Sequence, residues 1–434
     1  MDSSPPYNLT DSMHPRSILM RFNSLVMAAA CGLLAAAGPS SLSAQQRAVV
    51  VSPDTAYDPV QPLVDRLDLE RYKSTIKGLA QFGDRRQGTK RNRDAVDWIE
   101  AQLKQYGCQN VERITYQYAP APTAGRGGGR GRGPITSPNG RGTPGNGPGG
   151  SRIFSDMRER GGANDSLSQP DPAIRAINME PTTPGERQEV ICMKVGTKYP
   201  NEMYIIGGHM DGIGWGQAVN DDASGSAIVM ELARIFSMPD VQTERSIRFA
   251  LWNNEETGLN GAHAYADQRG PMQGKEIPPG SGKYPEPKWL GMIQHDMMMV
   301  DHGPPTADGK LAPNQRPEAD INIEFAITSK FADESMKLAF FWRAANEKFA
   351  THYPAAVGPH MTNTDSDPFK DLVPSLSLRE NERGSQIGGN WDPTHHQPID
   401  VLTTFNDKDY MLGLTSAQTT LGAIGRLVGA VVQK

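Results

Sequence analysis

Residues 203–256 read MYIIGGHMDGIGWGQAVNDDASGSAIVMELARIFSMPDVQTERSIRFALWNNEE, and the alternation inside this stretch decides the fold. The short apolar run at 203–206 predicts a buried strand. A polar, glycine-rich turn follows. Ile228, Leu232, Ile235 and Phe236 then recur at helical spacing, which predicts a helix over 222–238. Ile247, Phe249 and Leu251 mark the next strand. Strand, helix and strand in this order predict an α/β domain whose mixed, mostly parallel central sheet is covered by helices on both faces. Sites in such sheets form at the carboxyl ends of strands. His209, Glu255 and Glu256 fall there.

The pattern extends in both directions. Upstream, apolar periodicity predicts helices over 67–82 and 91–106, separated by Gly83-Asp-Arg-Arg-Gln-Gly88 and ended by Gly107. Strands are predicted at 111–116 and 190–195. Downstream, a helix over 259–268, a Pro/Gly-rich loop over 270–287 and a strand over 290–299 are expected. A strand at 321–327, a helix at 331–349, a strand at 375–378 and a helix at 406–428 complete the reading. Residues 119–152 differ in kind, being Gly, Pro and Arg with almost no apolar content. Such a segment cannot offset its ordering entropy by burial, so it reads as a disordered insertion in a domain spanning 63–434. An RNA-binding role for it would call for interleaved aromatics, which it lacks.

The first 44 residues read as a signal peptide. Arg16 and Arg21 precede the apolar run SLVMAAACGLLAAAG at 24–38, and small residues follow at Ser41, Ser43 and Ala44. That run falls short of the roughly 20 apolar residues of a membrane span, so no stable membrane insertion is expected after cleavage. Residues 45–62 read as an extended leader. The expected location is periplasmic or extracellular. The formal net charge of −5 gives no general attraction to nucleic acid. Beyond the signal only Cys108 and Cys192 remain, too few for a disulfide framework, and both read equally well as buried thiols.

Several residues in this frame carry chemistry. His209 offers an imidazole, and Asp211 two residues on can orient it through the other ring nitrogen. Asp221 opens the predicted helix beside Ala223, Ser224 and Gly225. Glu255 and Glu256 stand side by side after a buried strand, where one can bind a metal and the other can act as general base. Asp296 lies in an apolar strand, where a charge needs a partner or a metal. Its neighbour His295 should point to the opposite face. Late in the chain, His395 and His396 add imidazoles in a predicted loop. Each has an ordinary structural explanation when taken alone. Asp221 can cap a helix, the glutamates can favour a helix start, and the histidines can be surface or core residues.

In sequence order, GGHMDG (207–212), NDDASGSA (220–227) and LWNNEETGLNGAHAY (251–265) are joined by Asp296 after an apolar strand and by His396-Gln-Pro398-Ile-Asp400. Ser366-Asp367-Pro-Phe369 adds a further match. Together they resemble the secreted zinc exopeptidases of the bacterial leucyl aminopeptidase, glutamate carboxypeptidase and transferrin receptor superfamily, from about residue 67 to the C-terminus.

The resemblance implies two zinc ions: one held by His209, Asp221 and Asp296, the other by Asp221, Glu256 and His396, with Asp221 as the bridge. It implies that Glu255 takes the proton of a water held between the metals, and that the Asp221–Asp222 peptide is cis. The implied activity is an aminopeptidase acting on peptides, with Glu255 and Asp211 as its catalytic residues. A dipeptidase or carboxypeptidase of the plasma glutamate carboxypeptidase type is the alternative, prompted by Gly214-Trp-Gly-Gln217. Acyl transfer of the glutaminyl cyclase kind fits less well, because the Asp221–Gly225 segment is intact. So does a binding protein without catalysis, because every proposed ligand and the base are present. Two departures stand out. His395 occupies a position where some relatives carry a tyrosine that assists the oxyanion, and it can substitute as a donor. Asp222 stands where relatives often have Asn, which places added negative charge near the metals.

Overall fold

A computed structural model describes residues 58–119, 169–213, 215–302, 312–317, 319–361, 363–380, 392 and 394–433. The expected signal peptide, most of the leader, the insertion from residue 120 onward and Gly214 lie outside these residues. In chain order the first elements are α1 (Gln61–Val64), α2 (Leu69–Ala80), α3 (Lys90–Gln105), β1 (Gln109–Tyr118), α4 (Pro172–Asn178), β2 (Gly185–Lys194) and β3 (Tyr199–His209). There follow α5 (Gly225–Phe236), β4 (Val241–Gln242), β5 (Arg245–Trp252), α6 (Asn260–Arg269), β6 (Lys288–His295) and β7 (Ile321–Phe325). The chain continues through α7 (Ala332–Phe349), β8 (Ala355–Gly358), β9 (Ser375–Arg379), α8 (Asp407–Leu427) and β10 (Val431–Val432).

Among the described residues the main sheet runs β1-β2-β5-β3-β6-β9-β7-β8. Its centre, β5-β3-β6-β9, is parallel, while β1, β2 and β7 enter by antiparallel pairing. Alternation along the central strands divides their side chains between two cores. Ile206, Ile247, Phe249 and Leu251 face α2, α3, α5, α7 and α8. Met203, Ile205, Ala250 and Trp252 face α6 together with Trp289 and Phe369. Helices therefore cover both faces, as the sequence pattern predicts. Four parallel strands place their carboxyl ends along one edge, which gathers His209, the segment after Trp252 and the segment after His295.

The structure corrects several boundaries. The last residues of the expected leader are packed: Val60 is buried and α1 begins at Gln61. The helix expected over 222–238 starts at Gly225. The preceding Val219–Ser224 turn holds Asp221 and Asp222 outside helical geometry, with a cis bond between them. The strand expected over 290–299 stops at His295. Beyond it, Met297, Met298 and Met299 donate their N–H groups to Asp222 Oδ1, Ser224 Oγ and Asn220 Oδ1. A side-chain network thus replaces the neighbouring strand. The short elements α4, β8 and the β4–β10 ribbon are too brief to produce a periodic signal. Cys108 and Cys192 form a disulfide between the start of β1 and β2. No helix among the described residues is long and apolar enough to cross a membrane.

Candidate metal centre

The centre begins with two close backbone approaches that only glycine permits. A Cβ on Gly208 would stand 2.8 Å from the carbonyl carbon of Gly225, and one on Gly225 would stand 2.3 Å from the His295 carbonyl oxygen. Glycine at both positions lets the start of α5 press against the ends of β3 and β6. Ser226 Oγ then donates to the His209 carbonyl at 2.7 Å. Asp222 closes the junction by accepting from the N–H groups of His209 (3.0 Å), Gly225 (2.8 Å) and Met297 (3.1 Å). Its carboxyl group serves as a knot between three segments. Burial pushes its pKa well up, and Asp296 and Asp221 push it the same way.

This junction brings the predicted side chains together. His209 Nε2 lies 3.3 Å from Asp221 Oδ1 and 3.6 Å from Asp296 Oδ1. The other carboxylate oxygen of Asp221 faces the opposite way: Oδ2 lies 3.1 Å from His396 Nε2 and 3.6 Å from His395 Nε2. His396 Nε2 in turn lies 2.7 Å from Glu256 Oε2. Two groups of three ligand atoms result, His209/Asp221/Asp296 and Asp221/His395/His396, each within 4.8 Å of one another and sharing Asp221. Mixed imidazole and carboxylate donors at these separations fit divalent zinc.

The electrostatics follow from this crowding. Burial opposes charge on His209, but Asp222, Asp211, Asp221 and Asp296 outweigh it and raise its pKa well above the ordinary value. His396, half-buried beside Glu256 and Asp221, is raised to about 9 by those two carboxylates. Asp221 is held well below the carboxylate range by His209 and His396 despite its burial. The same crowding of carboxylates that holds protons on the two imidazoles would attract a cation in their place. Glu255 is half-buried; burial, joined by Glu256, Asp296 and Asp221, pushes its carboxyl well up.

Asp211 acts differently from the sequence expectation. The nearest partner of His209 Nδ1 is the Asp211 main-chain carbonyl at 3.1 Å, while Asp211 Oδ1 is 3.8 Å away. That carboxylate oxygen accepts the Glu255 N–H at 3.1 Å. Asp211 therefore orients the imidazole with its backbone and holds Glu255 with its side chain. His295 points away as expected, to the Gly207 carbonyl and Thr420 Oγ1, and burial lowers its pKa to about 4.

Sequence reasoning missed the supports. Arg85 is fully buried and donates to the carbonyls of Met210, Gln217, Ala218 and Gly83 at 2.6 to 3.0 Å. It ties down both ends of the loop between His209 and Asp221. Asp400 accepts from the N–H groups of Val219 (3.0 Å), Asn220 (2.8 Å) and Asp221 (3.2 Å). Arg379, at the end of β9, lies 3.0 Å from Asp296 Oδ2, which leaves Oδ1 facing His209. The sequence signal for Arg85 was a charge-dense turn between two amphipathic helices. Asp400 stood in the late histidine motif.

Known proteins share part of this sequence and its fold. The chain is 38% identical over 68 residues to leupeptin-inactivating enzyme 1 of Streptomyces exfoliatus, which is 16% of each chain. It is 37% identical over 71 residues to carboxypeptidase Q of Xenopus laevis, 16% of this chain and 15% of that one. The chain thus spans about one sixth of the length of these relatives. A zinc aminopeptidase from Bacillus subtilis shares the fold at a TM-score of 0.55 and 15% identity, over 83% of this chain and 96% of that one. The model of Peptidase family M28 matches residues 189–410, a span that begins in β2 and takes in every ligand atom just described. With half of its sequence under that match, including the whole edge on which the donors converge, the chain belongs to peptidase family M28.

Proposed function

We propose that this protein is an exported dizinc aminopeptidase that removes the first residue of peptides. The observation that carries the reading is the divided carboxylate of Asp221, whose two oxygens face separate donor groups. His209, Asp221 and Asp296 would hold one zinc ion, and Asp221, Glu256 and His396 the other. Bound there, the pair would acidify the attacking water and stabilise the oxyanion that forms on the scissile carbonyl.

The chain's own groups supply the proton handling. Glu255 stands beside Glu256 with its main chain fixed by Asp211. It accepts a proton from water as the oxygen adds to the carbonyl carbon, then returns it to the amine as the C–N bond breaks. Its partial exposure suits a base that must meet both water and leaving group. The catalytic domain would begin at about Val60, which already packs in the main core. Export is supported by the signal-like segment before residue 45 and by the Cys108–Cys192 disulfide, a bond that persists in oxidising compartments.

The likeness to carboxypeptidase Q supports a second reading, release of the last residue or cleavage of dipeptides. An unblocked tripeptide, incubated with the protein with and without a chelator and followed by mass spectrometry, separates them. Chelator-sensitive loss of the first residue is the expected result. Loss of the last residue would move the assignment to a carboxypeptidase. An intact tripeptide alongside cleaved dipeptides would make it a dipeptidase.

A further inference from the structure

We propose that Arg86 receives the terminal carboxylate of a short peptide whose first residue lies at the metal centre, so that the protein favours dipeptides and tripeptides with a free C-terminus. This rests on the aminopeptidase reading and deepens it. The amine end goes to the centre, and the carboxylate end leaves towards Arg86.

Three segments bring Arg86 to the rim of the centre. A Cβ on Gly212 would stand 2.9 Å from the Asp84 carbonyl oxygen and 3.0 Å from that of Asp221. The turn that carries Arg86 therefore lies against the backbone of the shared carboxylate. Arg86 lays its guanidinium over Trp215, 4.7 Å from the ring centroid. Gln169 Nε2 joins the Trp215 carbonyl (2.8 Å) to the Pro398 carbonyl (2.9 Å), two residues past His396. The cation thus stands beside the junction of the His209–Asp221 loop with the histidine loop. Trp215 takes a φ of 62°, a conformation costly for a bulky residue and kept only where the surroundings impose it. Asn178 Nδ2 donates to the Gly216 carbonyl at 2.7 Å, and the Gln217 N–H donates to the Asp400 carbonyl at 2.7 Å. The platform under Arg86 is therefore pinned from several sides.

Charge selects the ligand. The centre itself is crowded with carboxylates and imidazoles. Arg85, Arg187 and Arg379 are buried and turned to protein acceptors: Arg85 to loop carbonyls, Arg187 to Gln87 and the Thr183 carbonyl, Arg379 to Asp296. Arg86 is only half-buried. A guanidinium over an aromatic face still donates in its own plane, in the fork geometry that matches a carboxylate. Each extended residue covers about 3.3–3.6 Å. One or two residues beyond the scissile bond therefore carry a carboxylate from the centre to its rim, whereas a longer peptide places an uncharged amide there.

The test gives the full protein, with zinc supplied, an unblocked tripeptide and the same tripeptide amidated at its C-terminus. The wild type should show a kcat/KM about 10-fold or more higher for the free acid, the contribution of a charge-assisted hydrogen bond. Arg86→Met keeps an apolar stem on Trp215 and removes the charge. R86M should lose most of that preference through a higher KM for the acid, and R86K should recover part of it. Equal kcat/KM for acid and amide in the wild type, an unchanged preference in R86M, or an equal loss on both substrates would overturn the proposal. So would a preference that follows an acidic side chain in amidated peptides. Release of the first residue from the amide tests the reading beneath separately: an intact amide beside a tripeptide that loses its last residue would defeat the aminopeptidase, whatever R86M does. If R86M does not fold, the acid-to-amide ratio of the wild type and its fall at high salt still decide.

Discussion

The two halves of the centre are built by different means. His209 and Asp296 follow directly from β3 and β6, strands that lie side by side in register, Gly208 opposite His295. Both residues are buried, and Arg379 and Asp222 fix them from behind. Glu256, His395 and His396 stand on loops. What holds the histidine loop is a set of long-range clamps: Asp400 on the Asp221 loop, Asp392 joining Asn220 to Thr394, and Gln169 bonded to both the Trp215 and Pro398 carbonyls. A sheet places one half by register, and side-chain hydrogen bonds place the other. The first half should therefore tolerate loop damage that the second does not.

Asp221 belongs to both halves, so its loss should have the largest effect. Asp221→Ala is expected to remove both zinc ions at micromolar metal and abolish turnover. One zinc retained at wild-type affinity would show that the two halves are not bridged. Glu255→Gln comes next. It should lower kcat by about 10²- to 10⁴-fold, the usual contribution of a general base, with two zinc ions still bound. Turnover within tenfold of wild type would remove Glu255 from that role. His396→Ala separates the halves most directly: metal analysis should find one zinc, held by the strand-end residues, and a stoichiometry of two would exclude His396 from the ligands.

Asp400→Ala tests the clamp. Three N–H groups lose a buried acceptor, which should cost about 3 kcal/mol or more in urea unfolding. Zinc should weaken more in the loop half than in the half built on β3 and β6. Equal weakening in both would show that the loop and the sheet are not supported separately.

The same division explains what could be read from the sequence. The apolar run in β3 and the alternation in β5 announced the sheet, and sheet geometry placed His209 and Glu255 at its edge. Asp296 was legible as a charge ending an apolar run. His396 was not legible in this way; only its resemblance to a family motif singled it out, because nothing local links residue 396 to residue 221. Asp400 meets the Asp221 loop across about 180 positions, and Arg85 reaches Ala218 across 133. Contacts of that span leave no periodic trace. Asp222 was read as extra charge near metal. Its actual partners are three N–H groups, which become visible only when three strand and helix ends meet.

A pair outside the proposed ligand set provides a control with the smallest expected effect. His302 Nε2 lies 2.6 Å from Asp409 Oδ1, and its Nδ1 lies 2.7 Å from the Ala312 carbonyl. Both ring nitrogens face acceptors, so the ring bonds both only as the cation. Burial opposes that charge, but Asp409 and the carbonyls of Ala312 and Asn314 raise the pKa above its ordinary value. Asp409 also caps α8 by accepting the Asn406 N–H at 2.8 Å. Because the folded pKa is the higher one, the stabilisation is fully present below the unfolded value of about 6.5 and is lost as pH rises through the folded value. The gap in Tm between wild type and His302→Gln should be widest at about pH 6 and should close on the alkaline side. Zinc content and tripeptide turnover at a fixed pH should be unchanged in the variant. A Tm gap that stays constant across that range would show an uncharged ring, and altered zinc binding would show that the start of α8 is coupled to the loop half of the centre.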